Sequence, residues 1–135
     1  MATNAEVIKL DPDPFSNFHI AQGYRIGDLI LISGQVAITE DGVIIDGDFD
    51  TQAEATFRNI QRVLEAAGSS LAKVIKVTIY LTDMQAHRDR IMELRQKWFT
   101  PPYPADTLVC VQELGHPSRL LEIEAIALAN GDIIS

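Results

Sequence analysis

The chain has 135 residues, of which 47% are apolar and 22% charged, a balance typical of a single globular domain with a proper core. Eleven lysines and arginines against nineteen aspartates and glutamates give a formal net charge of −8. Because an acidic chain repels phosphate backbones, we expect no nucleic acid partner.

The cysteine content and the N-terminal segment help to predict the cellular compartment of the protein. The single cysteine, Cys110, cannot form an internal disulfide, and its apolar surroundings predict a small buried hydrophobe. The segment MATNAEVIKL lacks the basic and apolar regions of a signal peptide, and no apolar run approaches the roughly 18 residues that span a bilayer. The composition therefore predicts a soluble, cytoplasmic protein that does not bind membranes.

The first half of the chain predicts three strands and a helix. A short strand is expected at 5–10, and a hairpin that turns at IGD is expected over 19–38. A helix is expected over 51–67, with Asp50 as its N-cap and Gly68 as its stop. Its apolar stripe contains Ala53, Phe57, Ile60, Leu64 and Ala67.

The second half predicts three more strands and a second helix. Strands are expected at 74–83, 106–111 and 120–129. The helix is expected over roughly 85–99, where it buries Ile91, Leu94 and Trp98 before Pro101 stops it.

This order of elements predicts the fold class. Residues 1–135 are expected to form one α+β domain, a mixed sheet with both helices on one face. The opposite face would carry the segments ILIS and IEAIALA, which are too apolar to face water. We therefore expect a self-associated oligomer.

The chain lacks the familiar cofactor motifs. His19, His87 and His116 have no partners at metal-ligand spacing, so each is expected to be a surface or boundary residue. No P-loop, G-x-G-x-x-G or G-x-S-x-G motif is present. The sequence predicts neither a metal nor any other cofactor.

A serine and a glycine interrupt the apolar strand of the predicted hairpin. At Ser33-Gly34-Gln35, the glycine could let a ligand or another backbone approach closely. A simple strand bend capped by Ser33 explains the pattern equally well, and both interpretations stay open.

Two carboxylates lie in the last predicted strand. Strict alternation places Glu122 and Glu124 on one face with Ile126 and Leu128. Either this end of the strand is solvated, or one glutamate lines a polar cleft. A carboxylate in a partly apolar cleft has a raised pKa and can exchange protons with water.

Four segments in order resemble the reactive intermediate deaminase family, RidA, also called YjgF. They are GDLILISGQV, FRNIQRVLEAAGSSLAKVIKVTIYLTDM, PPYPA and EIEAIAL, and the likeness runs from about residue 15 to residue 129. The resemblance implies a chorismate-mutase-like α+β fold and a homotrimer with small-molecule clefts between subunits. It also implies hydrolysis of enamines and imines to ammonia and a 2-keto acid without any cofactor.

The resemblance assigns roles to three residues of this chain. Ser33 and Gly34 match the S-G-Q motif of the ligand site. Glu122 matches the glutamate that positions the attacking water and is the predicted catalytic residue.

Four other positions depart from the family pattern. Asp106 stands where an arginine grips the substrate carboxylate, and Leu108 stands where a cysteine is common. Ile20 replaces a tyrosine, and the asparagine of the second helix falls near Met92. The chain therefore resembles the arginine-lacking branches, with Ile20, Asp106 and Leu108 as predicted substrate-binding positions. An aspartate at 106 would repel a substrate carboxylate, so a 2-imino acid is expected to bind poorly.

Three functions follow from this pattern. The first is a hydrolase with an altered substrate, in which Glu122 activates water while Ser33 and the backbone of Gly34 or Leu108 hold a polar group. In this hypothesis Asp106 favours a neutral or amine-bearing ligand. The second is a non-catalytic trimer that binds a ligand or another protein. The third keeps the standard imine deaminase and takes its cation from Arg119 or from a neighbouring subunit.

Overall fold

The computed structural model describes residues 2–135 and contains six β-strands and two α-helices. The strands are β1 (Ala5–Val7), β2 (Gly23–Ile26), β3 (Leu29–Gln35), β4 (Val74–Leu81), β5 (Ala105–Cys110) and β6 (Leu121–Leu128). The helices are α1 (Phe49–Ala66) and α2 (Met84–Trp98).

The strands form one mixed sheet in the order β1-β2-β3-β6-β4-β5. Only the β4–β5 pair is parallel in the described residues, and every other neighbouring pair is antiparallel. Buried residues of both helices and of the sheet join in one core. The predicted α+β mixed sheet with two helices on one face is confirmed.

Helix α1 begins two residues earlier than its pattern predicts. Its N-cap is Asp48, whose carboxylate accepts a hydrogen bond from the Thr51 amide at 2.8 Å, so the prediction of Asp50 was wrong. Phe49 explains the difference, because it is buried and extends the apolar stripe by one turn. Asp50 instead forms an ion pair with Arg90 of α2.

Helix α2 agrees closely with its prediction. Asp83 caps its first turn by accepting a hydrogen bond from the Ala86 amide. Ile91 and Leu94 are buried, whereas Trp98 is only half-buried and stacks on Phe57 with ring centroids 5.2 Å apart.

Strand β5 lies at the edge of the sheet, with β4 as its only partner among residues 2–135. Cys110 ends this strand and is exposed, so the prediction of a buried cysteine was wrong. The apolar neighbours of Cys110 in sequence do not reveal that its strand is an edge.

The sheet face away from the helices carries an exposed apolar patch. Cross-strand pairs align Tyr24 with Leu31 and Leu31 with Ile126, and Leu31 is 43% exposed. We define the outer apolar face as Tyr24, Ile26, Leu29, Leu31, Ile126 and Leu128. The bare face expected from the sequence is thus present in the single chain.

Neither α1 nor α2 has the length and apolar character that crossing a bilayer requires, and no other helix in residues 2–135 does.

Candidate functional site

A cavity of about 520 Å³ opens beside the ends of β3 and β6. Its polar lining brings together Ser33, Gly34 and Glu122 with His116 and Arg119 of the loop before β6. Its apolar lining contains Phe15, Phe18, Ile20, Val36 and Ile44. Four of the six predicted site residues therefore line one cavity: Ile20, Ser33, Gly34 and Glu122.

Ser33 and Gly34 form a β-bulge. Ile32 pairs with Ala125 and Gln35 pairs with Ile123, so two residues of β3 stand opposite one residue of β6. Both interpretations of the motif hold in part, since the strand bends here and Gly34 also admits a close neighbour. A Cβ atom on Gly34 would lie 2.8 Å from Cδ of Glu122.

Glu122 is the half-buried carboxylate of the cavity. The alternation of β6 buries Leu121 and Ile123 in the core and turns Glu122 to the opposite face. Burial raises the pKa of Glu122; the charge of Arg119 opposes this shift, and Glu124 adds to it. Such a carboxylate can accept a proton from water and return it at a pH closer to neutrality.

Glu124 lies on the same face but in a different environment. It is exposed, and it accepts a hydrogen bond from the Tyr80 hydroxyl at 2.5 Å, which is also the largest cause of the raised pKa of Tyr80. The two glutamates of the EIE motif are therefore distinct, and only Glu122 lines the cavity.

A chain of buried amides supports the apolar wall of the cavity. Gln35 donates from Nε2 to Oε1 of Gln22 at 2.9 Å, and Gln22 donates to the carboxylate of Asp13 at 2.8 Å. Asp13 also accepts a hydrogen bond from the amide of Phe15, a wall residue. Sequence reasoning missed this network, although a glutamine inside an apolar strand is a signal for one.

The loop between β5 and β6 forms another part of the wall, and the sequence named only its Arg119, as a substitute cation. It contributes His116 and Arg119, and it is held against α1 by the buried side chain of Gln52. Gln52 donates to the Ser118 carbonyl at 2.8 Å and accepts from the Leu120 amide at 2.9 Å.

The hydrogen bonds of His116 indicate its tautomer. Its Nδ1 atom accepts from the Ser118 amide at 3.2 Å and lies 2.8 Å from the Ser118 hydroxyl. A neutral ring then carries its proton on Nε2, which leaves one N–H donor free for a ligand. His116 is a cavity residue, whereas its sequence predicted only a surface or boundary position.

Asp106 and Leu108 lie apart from this cavity in the single chain. Asp106 points toward α2, where Arg95 donates to both carboxylate oxygens at 2.8 Å, from Nε and from an Nη atom. Leu108 packs against the core from edge strand β5. Their predicted substrate-binding roles therefore require a cleft to which more than one chain contributes.

Two further positions complete the comparison with the family pattern. Ile20 is 49% exposed at the cavity, where its side chain offers no hydrogen bond. Met92 is exposed on α2 and lies outside the described lining of the cavity. Within residues 2–135, no group of three or more His, Cys, Asp and Glu side chains could hold a metal ion.

Comparisons with known proteins identify the family to which the chain is similar. The family model Endoribonuclease L-PSP matches residues 11–129. Protein HMF1 of Saccharomyces cerevisiae is 33% identical over 94% of this chain and 97% of its own length. A 2-iminobutanoate/2-iminopropanoate deaminase of the mite Dermatophagoides farinae is 28% identical over 88% of this chain and 91% of its own length.

A solved structure extends the likeness to three dimensions. RidA from an Antarctic Psychrobacter species superimposes with a TM-score of 0.83 and 32% sequence identity, covering 91% of this chain and 98% of its own. The chain therefore belongs to the Endoribonuclease L-PSP family, which is the RidA (YjgF) family that its motifs resemble.

Proposed function

We propose that this protein is a cofactor-free hydrolase of imines, enamines or related C–N compounds, with a substrate altered from that of the 2-imino acid deaminases. The observation that carries the proposal is the half-buried Glu122, which meets the Ser33-Gly34 bulge in a cavity large enough for a small molecule.

The proposed chemistry needs one base and several hydrogen-bond donors. Glu122 accepts a proton from water as the water oxygen bonds to the imine carbon, and it passes this proton to the imine nitrogen, which gives a carbinolamine. Glu122 then moves the hydroxyl proton of the carbinolamine to the amino nitrogen, so that the C–N bond breaks, ammonia leaves and a carbonyl compound remains. An enamine enters this sequence once a proton is added to its carbon. Donors near Ser33 and the backbone of Gly34 or Leu108 hold the polar group of the substrate.

The altered substrate follows from position 106. Asp106 and Arg95 form a bidentate pair whose side chains are 20% and 30% exposed, so their formal charges cancel locally. The pair softens the repulsion of a substrate carboxylate, but it provides no free cation at position 106. We therefore place the chain in an arginine-lacking branch of the family.

A homotrimer would complete the site. The outer apolar face gives the chain a surface to bury against other copies. The edge strand β5 is unpaired on one side in residues 2–135, and the proposed trimer places it beside the cavity of another copy. In this proposal, Asp106, Leu108 and Glu122 meet in clefts between subunits.

The departures at Ile20, Met92 and Asp106 favour a second candidate, a trimer that binds a small molecule or a protein without turning it over.

A nuclease is disfavoured in spite of the family's description, because the net charge is −8 and a phosphate backbone would be repelled.

A substrate panel tests the proposal. Ammonia release would be measured with imines and enamines that carry or lack a carboxylate, with cyclic amides, and with 2-iminopropanoate as the reference. We expect turnover of at least one panel member and slow turnover of 2-iminopropanoate. If no panel member is turned over and one of them binds tightly and stoichiometrically, the hydrolase is wrong and the non-catalytic candidate is favoured.

A further inference from the structure

Arg119 is the only lysine or arginine among the described residues that line the cavity. Its Nε atom is buried without a hydrogen-bond partner in residues 2–135. None of the ion pairs found in that part of the chain includes its guanidinium. A buried donor with no partner requires an explanation, and a bound ligand would be one.

The backbone on both sides of Arg119 is held in place. Gln52, which is 1% exposed, binds the carbonyl of Ser118 and the amide of Leu120, and it also donates to the carbonyl of Gly47 at 3.0 Å. The base of the arginine side chain is therefore fixed before any ligand binds. Less conformational entropy is then lost when the guanidinium takes up an anion.

Gly115 leaves space for the guanidinium. A Cβ atom built on Gly115 would lie 2.8 Å from an Nη atom of Arg119. The guanidinium thus lies against the backbone of its own loop, on the wall of the cavity that also carries His116.

Arg119 and Glu122 present opposite charges to the same cavity without forming an ion pair. A ligand can therefore place a negatively charged group at one and its reacting atom at the other. Val36 and Phe15 of the cavity lining are apolar, and they suit a small apolar portion of the same ligand.

We propose that Arg119 determines specificity by binding the anionic group of a small monoanionic ligand, whose reacting atom lies against Glu122. The position of the reacting atom against Glu122 rests on the proposed function, whereas the anion site at Arg119 stands without it. Charge recognition then comes from the loop before β6 rather than from position 106. The Arg119–Glu122 spacing sets the distance between the charge and the reacting atom, so an anion in which the two adjoin, such as 2-iminopropanoate, is still expected to turn over slowly.

A pair of isosteric probes tests this assignment without knowledge of the natural ligand. Butanoate and butanamide have the same shape, and only butanoate is charged. Their dissociation constants would be measured by NMR titration for the wild-type protein and for Arg119→Gln, Arg119→Lys and Glu122→Gln. Arg58→Gln is the matched control, because Arg58 is exposed on α1 and pairs with Glu54.

We expect the wild-type protein to bind butanoate at least about tenfold more tightly than butanamide, because a hydrogen bond to a charged group contributes more than one to a neutral group. Arg119→Gln should remove this preference and Arg119→Lys should keep part of it, while Arg58→Gln and Glu122→Gln should retain it. If Arg119→Gln fails to fold, Arg119→Lys takes its place and should bind butanoate more weakly than the wild-type protein, because an ammonium group lacks the paired N–H donors of a guanidinium.

Two results would overturn the assignment: no preference for butanoate in the wild-type protein, or an undiminished preference in a folded Arg119→Gln variant. Failure of the proposed function is recognised separately. If butanoate is preferred through Arg119 but no panel compound is turned over, the hydrolase is wrong and the anion site stands. If a panel compound is turned over through Glu122 but butanoate is not preferred, the hydrolase stands and the anion site is wrong.

Discussion

Glu122 combines partial burial with a negative charge, and this combination has a consequence for stability. Burial raises the pKa of Glu122. At a pH between the ordinary glutamate pKa and this raised pKa, Glu122 is protonated in the folded chain but ionised in the unfolded chain. Stability therefore falls as the pH rises through this window, and at neutral pH the ionised carboxylate destabilises the folded state.

Replacement of Glu122 by glutamine should remove this penalty. We expect Glu122→Gln to have a higher Tm than the wild-type protein at pH 7, with the difference shrinking below the ordinary glutamate pKa. Thermal unfolding monitored by circular dichroism across this pH range measures it. A Tm difference that stays constant with pH would show that Glu122 is not the cause, since its carboxylate is the titratable group that the two proteins do not share.

Gly34 is needed because Glu122 occupies the space of a side chain at position 34. In Gly34→Ala the added Cβ would lie 2.8 Å from Cδ of Glu122, so the carboxylate must move. We expect turnover to fall by about 100-fold, because misplacement of a catalytic group by about 1 Å has an effect of this size. Steady-state kinetics measures the loss, with Gly131→Ala at the distant C-terminal turn as the control. Unchanged kcat/KM in Gly34→Ala would show that Glu122 does not need its present position.

The pairing of helix α2 with strand β5 alters how position 106 should be tested. Introducing arginine at 106 alone would place two guanidinium groups together, because Arg95 already occupies that site. The exchange Arg95→Asp with Asp106→Arg keeps the pair and moves the positive charge to β5.

We expect each single substitution to destabilise the protein and the exchange to recover most of the loss, with a coupling free energy of about 1 kcal/mol. Urea unfolding of the four proteins gives this coupling. A separate variant, Asp106→Arg with Arg95→Gln, leaves the new guanidinium unpaired and should hydrolyse 2-iminopropanoate faster than the wild-type protein. Additive destabilisation would show that the pair does not couple, and unchanged hydrolysis would show that residue 106 does not face a substrate.

At the scale of the whole molecule, we propose that the outer apolar face drives association with other copies of the chain. A charge at Leu31, near the centre of the face, should prevent burial against other copies. We expect light scattering to show a trimer for the wild-type protein and smaller species for Leu31→Glu. Ile134→Glu, at a residue that is 91% exposed near the C-terminus, is the control. A monomeric wild-type protein would contradict the model of a site shared between chains.

The sequence predicted the fold better than it predicted the site because the two depend on contacts of different range. Strand alternation and helical stripes are local, and they correctly separated Ile123 from Glu122 and placed the bare face. The choice of Asp48 over Asp50 as the cap depended on burial of Phe49, which is a tertiary contact.

The parts of the site that the sequence did not reveal depend on residues far apart in the chain. Gln52 meets the loop before β6 across more than 60 residues, and Arg95 meets Asp106 from another element. His116 belongs to no motif and becomes a candidate only once the cavity brings it next to Glu122, whereas Arg119 was named from the sequence only as a substitute cation.

If Glu122 acts on a substrate in the cavity, the two neighbouring carboxylates of β6 should differ sharply in their importance for activity. Ammonia release from the best panel substrate would be measured at one pH for the wild-type protein, Glu122→Gln and Glu124→Gln. We expect a loss of about 100-fold or more for Glu122→Gln, the range expected for a missing general base, and nearly full activity for Glu124→Gln, whose side chain is exposed. Equal activity of Glu122→Gln and the wild-type protein would show that Glu122 does not act on the substrate.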